Sequence, residues 1–156
     1  IVRLDVLFGK NDGLFFRFGK IIKLLPMIPL PKESKAIFNP LFVKDAAHAI
    51  DKIVKSKTFH GKLFELFGPK SYSWEELMIF FKKNIQSKVF LIKVPIILLS
   101  FPALFFGFLP NPLITIDQLR RFKVRIEHDK KNLTMKDLSI KTSSIETEMP
   151  KYLKNF

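Results

Sequence analysis

Tyrosines, histidines and closely spaced carboxylates are the side chains from which this 156-residue chain could assemble a catalytic site, and their spacing assembles none. A tyrosine that acts as an acid in hydride-transfer enzymes needs a lysine one helical turn later, to lower the phenol pKa and hold the ribose. Here Tyr72 is followed at that distance by Glu76, and Tyr152 by Phe156. His48, His60 and His128 stand far apart and show no metal-ligand spacing. Cysteine is absent, so disulfides, thiolate metal sites and thiol nucleophiles are excluded together. The six glycines, at 9, 13, 19, 61, 68 and 107, fit neither a dinucleotide-binding G-x-G-x-x-G nor a Walker A loop, and no G-x-S-x-G elbow exists. No carboxylates pair in a context suited to acid–base work. The expectation is a chain with no catalytic residue and no metal of its own.

Charge points elsewhere. Twenty-seven basic and 14 acidic side chains give a net charge of +13, in a chain that is 47% hydrophobic and carries 18 phenylalanines. A field of that sign suits a polyanionic partner, a nucleic acid or an anionic membrane surface. The plainer reading is an A/T-rich genome whose codons favour Lys, Ile, Phe and Asn. The chain opens on Ile1 rather than methionine, which reads as a processed or partial chain, and no signal-peptide pattern stands at its start.

The elements that must position any site alternate between strand and helix. Ile1–Phe8 reads as a strand closed by the turn-rich run Gly9–Gly13. Leu14, Phe18, Ile21, Ile22 and Leu25 recur at helical spacing, with Arg17, Lys20 and Lys23 as a basic stripe, and Pro26, Pro29 and Pro31 end that helix. Ile37–Val43 is a second strand, bent at Pro40. Ala46, Ala49, Ile50, Ile53 and Val54 mark an amphipathic helix, with Asp45 placed to cap it. Leu63–Phe67 is a third strand, turned by Gly68 and Pro69. Ser73 and Glu76 form a capping box ahead of a helix whose inner face is Trp74, Leu77, Met78, Phe81 and Ile85. Val89–Lys93 is a fourth strand, and a last helix falls near Ile145–Leu153.

From Val94 to Ile116 the chain carries no charge, which invites a membrane-span reading. Pro95, Pro102, Pro110 and Pro112 break the run into pieces too short to cross. A helix around Ile96–Leu109, kinked at Pro102, is expected to cover the neighbouring lobe. In the other reading Leu98, Leu99, Phe105, Phe106 and Phe108 dip into a membrane interface beside Arg120, Arg121 and Lys123.

Four fragments, in order, resemble one family. Arg3-Leu4-Asp5-Val6-Leu7-Phe8-Gly9 is similar to the R-P-x-x-x-F-G strand that follows the catalytic helix in extended and atypical short-chain dehydrogenases/reductases. Phe42-Val43-Lys44-Asp45-Ala46-Ala47-His48-Ala49-Ile50 resembles their V-x-D-V-A-x-A-I element. Gly61-Lys62-Leu63-Phe64-Glu65-Leu66-Phe67-Gly68-Pro69, with Tyr72-Ser73-Trp74-Glu75-Glu76-Leu77, resembles G-x-x-Y-E-L-x-G-P-x-x-Y-T-x-x-E-L. Leu109 to Gln118 looks like the L-P-x-P-x-x-T-x-D-Q stretch of the subgroup that contains the large NAD(P)H-binding accessory subunit of respiratory complex I and its bacterial NAD-dependent epimerase/dehydratase-like relatives. Leu4 stands where the family has proline, and Phe64 where tyrosine is common.

The resemblance implies an α/β fold: the C-terminal part of an extended, NAD(P)-binding Rossmann protein, with the end strands of its parallel sheet and a mostly helical substrate-side lobe. It divides the chain into residues 1–93, strands plus lobe, and residues 94–156, a helical extension of that lobe. NAD or NADP would be held mainly by an upstream Rossmann half missing from this chain. Arg3, Leu4, Asp5 and Val6 would lie on the cofactor side, although a strand-end arginine reaching solvent is the simpler account of Arg3. Phe8, Phe16, Phe42 and Tyr72 would line an apolar substrate pocket, and plain core packing is the alternative for the phenylalanines.

The implied role is structural, assembly-related or quinone-linked at a respiratory membrane. Partners would be the missing Rossmann half and complex I subunits or an anionic membrane surface. The place would be cytoplasmic and peripheral to the inner membrane in a bacterium, or the matrix side of a mitochondrion. The competing reading is a working NAD(P)-dependent oxidoreductase or epimerase/dehydratase with its Tyr–Lys pair upstream. A nucleic-acid binder ranks last, because the phenylalanines fall at core positions and do not alternate with basic residues on one face.

Overall fold

The computed structural model describes residues 1–10, 12–99, 122–124, 128–129 and 131–153. In chain order the elements are β1 (Val2–Leu4), β2 (Leu7–Phe8), α1 (Phe15–Leu24), β3 (Met27–Pro31), β4 (Ile37–Phe38), β5 (Leu41–Phe42), α2 (Val43–Lys55), β6 (Phe64–Leu66), β7 (Tyr72–Ser73), α3 (Trp74–Ile85), β8 (Phe90–Val94) and α4 (Ile145–Leu153). Two compact units are built from interleaved stretches. The first takes Ile1–Lys20, Phe38–Ser71 and Glu127–Phe156, and the second takes Ile21–Ile37 and Tyr72–Ile126.

In the first unit β1 and β6 pair in parallel, with Val2 opposite Phe64, Arg3 opposite Glu65 and Leu4 opposite Leu66. This is the arrangement expected of two apolar runs joined through a helical crossover. A bridge from Phe64 to Leu133 adds a third parallel segment on the far side of β6. The N-terminal run is not one strand, however. After Leu4 the Asp5 amide still donates to the Leu66 carbonyl at 3.1 Å, but the Val6 carbonyl accepts from Leu41 at 2.9 Å. β2 then pairs in parallel with β5. The chain therefore changes partners at Asp5–Val6.

The core of this unit is Leu41, Ala46, Ala49, Phe64, Leu66, Met135 and Leu138. On α2 only Ala46 and Ala49 are fully buried, with Ile53 packed against the cluster. Ile50 and Val54, expected inside, are exposed at 37% and 69%. The two alanines let the helix approach the sheet closely along a narrow stripe, and the flanking β-branched residues fall outside it. Asp45 does not cap α2. The cap position is Phe42, which offers no side-chain bond, and the Asp45 carboxylate accepts the Ser143 amide at 2.6 Å. Asp12 does the capping that sequence reading missed, at α1, where its Oδ1 accepts the amides of Phe15 and Phe16. Burial is the largest influence on that carboxyl and raises its pKa, against the lowering effect of the helix amides. On α1 the predicted Ile22 is fully buried, Leu14, Phe18 and Ile21 are half-buried, Leu25 is exposed, and Phe15, not in the predicted face, is fully buried.

In the second unit β3 and β8 form a five-residue parallel ribbon, from Met27 opposite Phe90 to Pro31 opposite Val94. Pro29 and Pro31 were expected to end a helix and instead lie in β3. Among the described residues β3 pairs with no strand but β8. An edge strand tolerates prolines, because the amide they lack would face away from the ladder. α3 behaves as its sequence predicts except at Ile85, which is only half-buried. Ser73 Oγ accepts the Glu76 amide at 3.2 Å and the Glu76 carboxylate accepts the Ser73 amide at 2.7 Å. Trp74, Leu77, Met78 and Phe81 are buried. The described part of the uncharged stretch, Ile96–Leu99, is helical, with Ile96 and Leu99 buried against Val94 and Phe122. The rest of that stretch, including the Leu109–Gln118 fragment, Phe105, Phe106 and Phe108, lies outside the described residues. Among those described, no helix is long and apolar enough to cross a membrane.

Candidate functional site

At the carboxyl ends of β1 and β6, the side of an open parallel sheet on which ligands bind, the first unit gathers its polar side chains. Asn39 and Glu65, each only 7% exposed, are its two buried polar residues among those described. Asp5 leaves β1 with its carboxylate turned inward. Oδ2 accepts both the Asn39 amide (3.2 Å) and Asn39 Nδ2 (3.0 Å), while Oδ1 accepts the Val6 amide (2.6 Å). Asn39 Oδ1 accepts the Ser71 hydroxyl, its backbone carbonyl accepts the Gly68 amide at 3.0 Å, and its Nδ2 stands 3.1 Å from His128 Nε2. Every donor and acceptor of this buried asparagine is therefore used, as the cost of stranding a buried polar group requires.

His128 closes the cluster from the segment returning beside β6. Its ring lies on Phe67 at 4.0 Å between centroids, with Nδ1 3.5 Å from Glu65 Oε2 and Nε2 3.7 Å from Asp5 Oδ2. With the Asn39 amide donating to Nε2, the remaining ring proton belongs on Nδ1, facing Glu65. Glu65 also accepts the Asp129 amide at 3.0 Å and Arg3 Nη1 at 3.2 Å. Burial alone would raise the Glu65 pKa. The Asp129 amide, Arg3, Asn132 and the field of His128 together outweigh burial and hold it below the usual carboxylate range. The Arg3 side chain is 64% exposed, so its pair with Glu65 contributes little by itself.

Among the described residues no group of histidines and carboxylates is arranged to hold a metal. Both nitrogens of His128 face partners inside the cluster, which suits cross-linking rather than proton transfer. What the network does is tie the end of β1, the β4–β5 turn, the residues after β6 and the 128–129 segment into one rigid block. The backbone of Leu4–Val6 runs along its edge.

The residues singled out from sequence fall into two groups. Arg3, Leu4, Asp5 and Val6 lie together at this edge. Arg3 and Leu4 point to solvent, with Leu4 41% exposed, while the Asp5 carboxylate is committed to the cluster. Of the pocket residues, Phe8 and Phe42 touch at 5.3 Å between centroids, and Tyr152 stacks on Phe42 at 6.5 Å. Phe8 is fully buried and Phe42 nearly so. The Phe16 ring sits under the Lys20 ammonium at 4.8 Å. Tyr72 is buried in the second unit. Asn39, Glu65 and His128 were not anticipated, since no short spacing relates positions 5, 39, 65 and 128. The one available signal was Asn39 before Pro40, a polar residue beside an expected bend.

No family model matches the chain. Two mitochondrial proteins are similar to it along almost its full length. It is 26% identical over 152 residues to NADH dehydrogenase [ubiquinone] 1 alpha subcomplex subunit 9 of Dictyostelium discoideum, covering 96% of this chain and 42% of that protein. It is 25% identical over 157 residues to the NADH-ubiquinone oxidoreductase 40 kDa subunit of Neurospora crassa, covering 100% of this chain and 41% of that one. Among solved structures, dTDP-4-dehydrorhamnose reductase from Bacillus anthracis, in complex with NADP, superposes with a TM-score of 0.57 at 18% identity, over 100% of this chain and 46% of that one. The protein gox2253 superposes with a TM-score of 0.58 at 16% identity, over 99% of this chain and 48% of that one. The chain thus spans under half the length of the relatives it matches.

Proposed function

We infer that this chain, a relative of the 40 kDa complex I subunit with the α/β fold of NAD(P)-binding extended short-chain dehydrogenases/reductases, is the substrate-side portion of an NAD(P)-binding protein with a structural or assembly role in a respiratory complex. The observation that carries the reading is the parallel β1–β6 pair, with a rigid polar block at its carboxyl end, in a chain similar to complex I subunits from end to end.

The chain's own residues fit a secondary part in holding the nucleotide. Exposed Leu4 and the Arg3 guanidinium stand at the strand edge, and the Asp5–Asn39–His128–Glu65 block keeps the Leu4–Val6 backbone in place. Asp5 can offer backbone only. The nucleotide, NAD or NADP, would supply hydride chemistry or simply stabilise the fold, and its phosphates need a loop of a kind this chain does not carry. Phe8, Phe16 and Phe42 of the first unit would contribute to an apolar substrate side, as Tyr72 would within the second, and residues 94–156 would extend the substrate lobe. Proximity to a respiratory membrane, on the mitochondrial matrix side or the bacterial cytoplasmic side, belongs to the same reading.

The test is native electrophoresis and affinity isolation of the full-length protein from its own cells, followed by extraction of bound nucleotide. Co-migration with complex I subunits and retention of a stoichiometric NAD(P) are expected. A free protein that turns over NAD(P)H with a nucleotide-sugar or other carbonyl substrate would overturn the structural role in favour of catalysis.

A further inference from the structure

In the first unit an edge of β1 and a side of α2 are turned the same way. In a parallel pair, the backbone groups of alternate residues bond the neighbouring strand. Here the Ile1 carbonyl accepts from Phe64 at 2.9 Å and the Asp5 amide donates to the Leu66 carbonyl at 3.1 Å. The backbone groups of Val2 and Leu4 therefore face the opposite edge, along which no strand pairs among the described residues. Val2 and Leu4 stand opposite Phe64 and Leu66, on the face that α2 covers, and Leu4 is 41% exposed there. On α2, Val43, Ala47, Ile50 and Val54 recur at spacings that align them in one stripe. Val43 is 43% exposed, Ile50 37% and Val54 69%, and Ala47 is exposed as well. This stripe is separate from the inward line of Ala46, Ala49 and Ile53. At the pitch of an α-helix it lies on the opposite side from Asp45 and Lys52. Those two reach the returning segment, Asp45 accepting the Ser143 amide and Lys52 Nζ donating to the Leu138 carbonyl at 2.7 Å. That segment follows Leu133, which bridges the far edge of β6. The stripe is thus turned toward the β1 side of the sheet.

Chain geometry indicates what fits there. β1, α2 and β6 form a crossover unit, and right-handed crossovers between strands added in the same direction place their helices on the same face of the sheet. A strand running parallel to β1 along its outer edge, and joined to it by a helix, would lay that helix beside α2. The edge and the stripe are then two parts of one seat. The relatives are long enough to supply the occupant, since this chain covers only 42% and 41% of the two mitochondrial proteins. Within the unit, positions 11, 127, 130 and 154–156 lie outside the described residues, in runs too short for a strand and a helix. The groups beside the stripe are Lys44, His48 and the Asp51–Lys55 pair at 2.8 Å. Charges of both signs suit a protein partner better than an anionic lipid surface.

We propose that the outer edge of β1, at Val2 and Leu4, and the Val43–Ala47–Ile50–Val54 stripe of α2 together seat a parallel strand and its amphipathic crossover helix, supplied by the portion of the protein outside these 156 residues. The added strand takes up the amides and carbonyls of Val2 and Leu4. The added helix lays its apolar face over Leu4, Ile50 and Val54. This deepens the proposed function and rests on it only in treating the chain as part of a longer protein.

Photo-crosslinking of the full-length protein tests it, with a diazirine side chain at position 54 and the captured residues identified by mass spectrometry. Capture of residues outside 1–156, spaced three or four apart and within one protomer when labelled and unlabelled protein are mixed, is expected. Capture only of residues within 1–156, of a second copy, of lipid or of solvent would overturn the proposal. Hydrogen exchange on the parent reads the edge. The Val2 and Leu4 amides should exchange at least about a hundredfold more slowly than unprotected amides, and exchange at the unprotected rate would count against the added strand. Ile50→Glu and Val54→Glu would be harmless on a solvent-facing helix. Seated against a second helix, each should lower the melting temperature of the full-length protein by about 5 °C or more, while Lys44→Gln, beside the stripe, melts as the parent does. Melting of both glutamate variants with the parent would sink the idea. Nucleotide retention and complex I co-migration are scored separately, so loss of that reading and loss of this one are distinguishable.

Discussion

Gly68 is the position where adding one methyl group should do the most damage. It follows β6 and passes directly over the β4–β5 turn, donating its amide to the Asn39 carbonyl at 3.0 Å. A Cβ built there would stand 1.8 Å from the Pro40 carbonyl oxygen and 2.7 Å from its carbon. The obstacle is backbone, so no rotamer change relieves it, and the two segments must separate by more than an ångström. That separation breaks the Gly68–Asn39 hydrogen bond and loosens Asn39, on which Asp5, Ser71 and His128 converge. Overpacking costs about 1–3 kcal/mol, and the lost bond about 1 kcal/mol. Gly68→Ala should therefore destabilise the first unit by about 2–4 kcal/mol, lowering the melting temperature by roughly 5–15 °C for a chain of this size. Gly13→Ala is the control, because a Cβ there meets nothing within 4 Å. Thermal melts followed by circular dichroism compare the two. If Gly68→Ala melts together with Gly13→Ala, the close approach of the two turns, and with it the account of the polar block, is wrong.

Glu65→Gln should cost about 1–3 kcal/mol at neutral pH, since one of its acceptor oxygens becomes a donor facing the Asp129 amide or Arg3. Because the folded-state carboxyl titrates below the ordinary value of 4.5, its contribution is complete above that value and is lost as pH falls through the lowered one. Urea midpoints from neutral to acid pH should fall less steeply for the variant than for the parent. Asn39→Asp puts a second carboxylate within hydrogen-bond range of Asp5 and should cost about 3–5 kcal/mol at neutral pH. Acidification should partly restore it as one of the pair takes up a proton, and chemical denaturation at two pH values reads the difference. Ser73→Ala removes the reciprocal cap of α3 and should cost about 1 kcal/mol, seen as a small shift in the same melts.

Much of the local structure, though not β3 or the split of the first run, and the parallel character of the sheet were legible in the residues alone. The capping box at Ser73 and Glu76, the buried stripe of α3, the pairing of the first run with Leu63–Phe67 and the break at Pro40 all follow from spacings of four residues or fewer, or from a crossover rule. Order among the motifs also carried the resemblance, because four weak fragments in register say more than any one of them. Tertiary structure alone decided where the chain switches partners at Asp5–Val6, since nothing local tells an aspartate that its neighbour will be Asn39 instead of water. It turned Pro29 and Pro31 from helix terminators into an edge strand, because a proline is harmless wherever its missing amide would face away from the ladder. It moved Ile50 and Val54 outward, because the width of a buried helical stripe depends on how closely two alanines let the helix approach. The Asp5–Asn39–Glu65–His128 block was the least legible feature. Hydrogen bonds between residues dozens of positions apart leave no periodic trace, and only the folded chain, by burying Asn39 and Glu65, makes their partners obligatory.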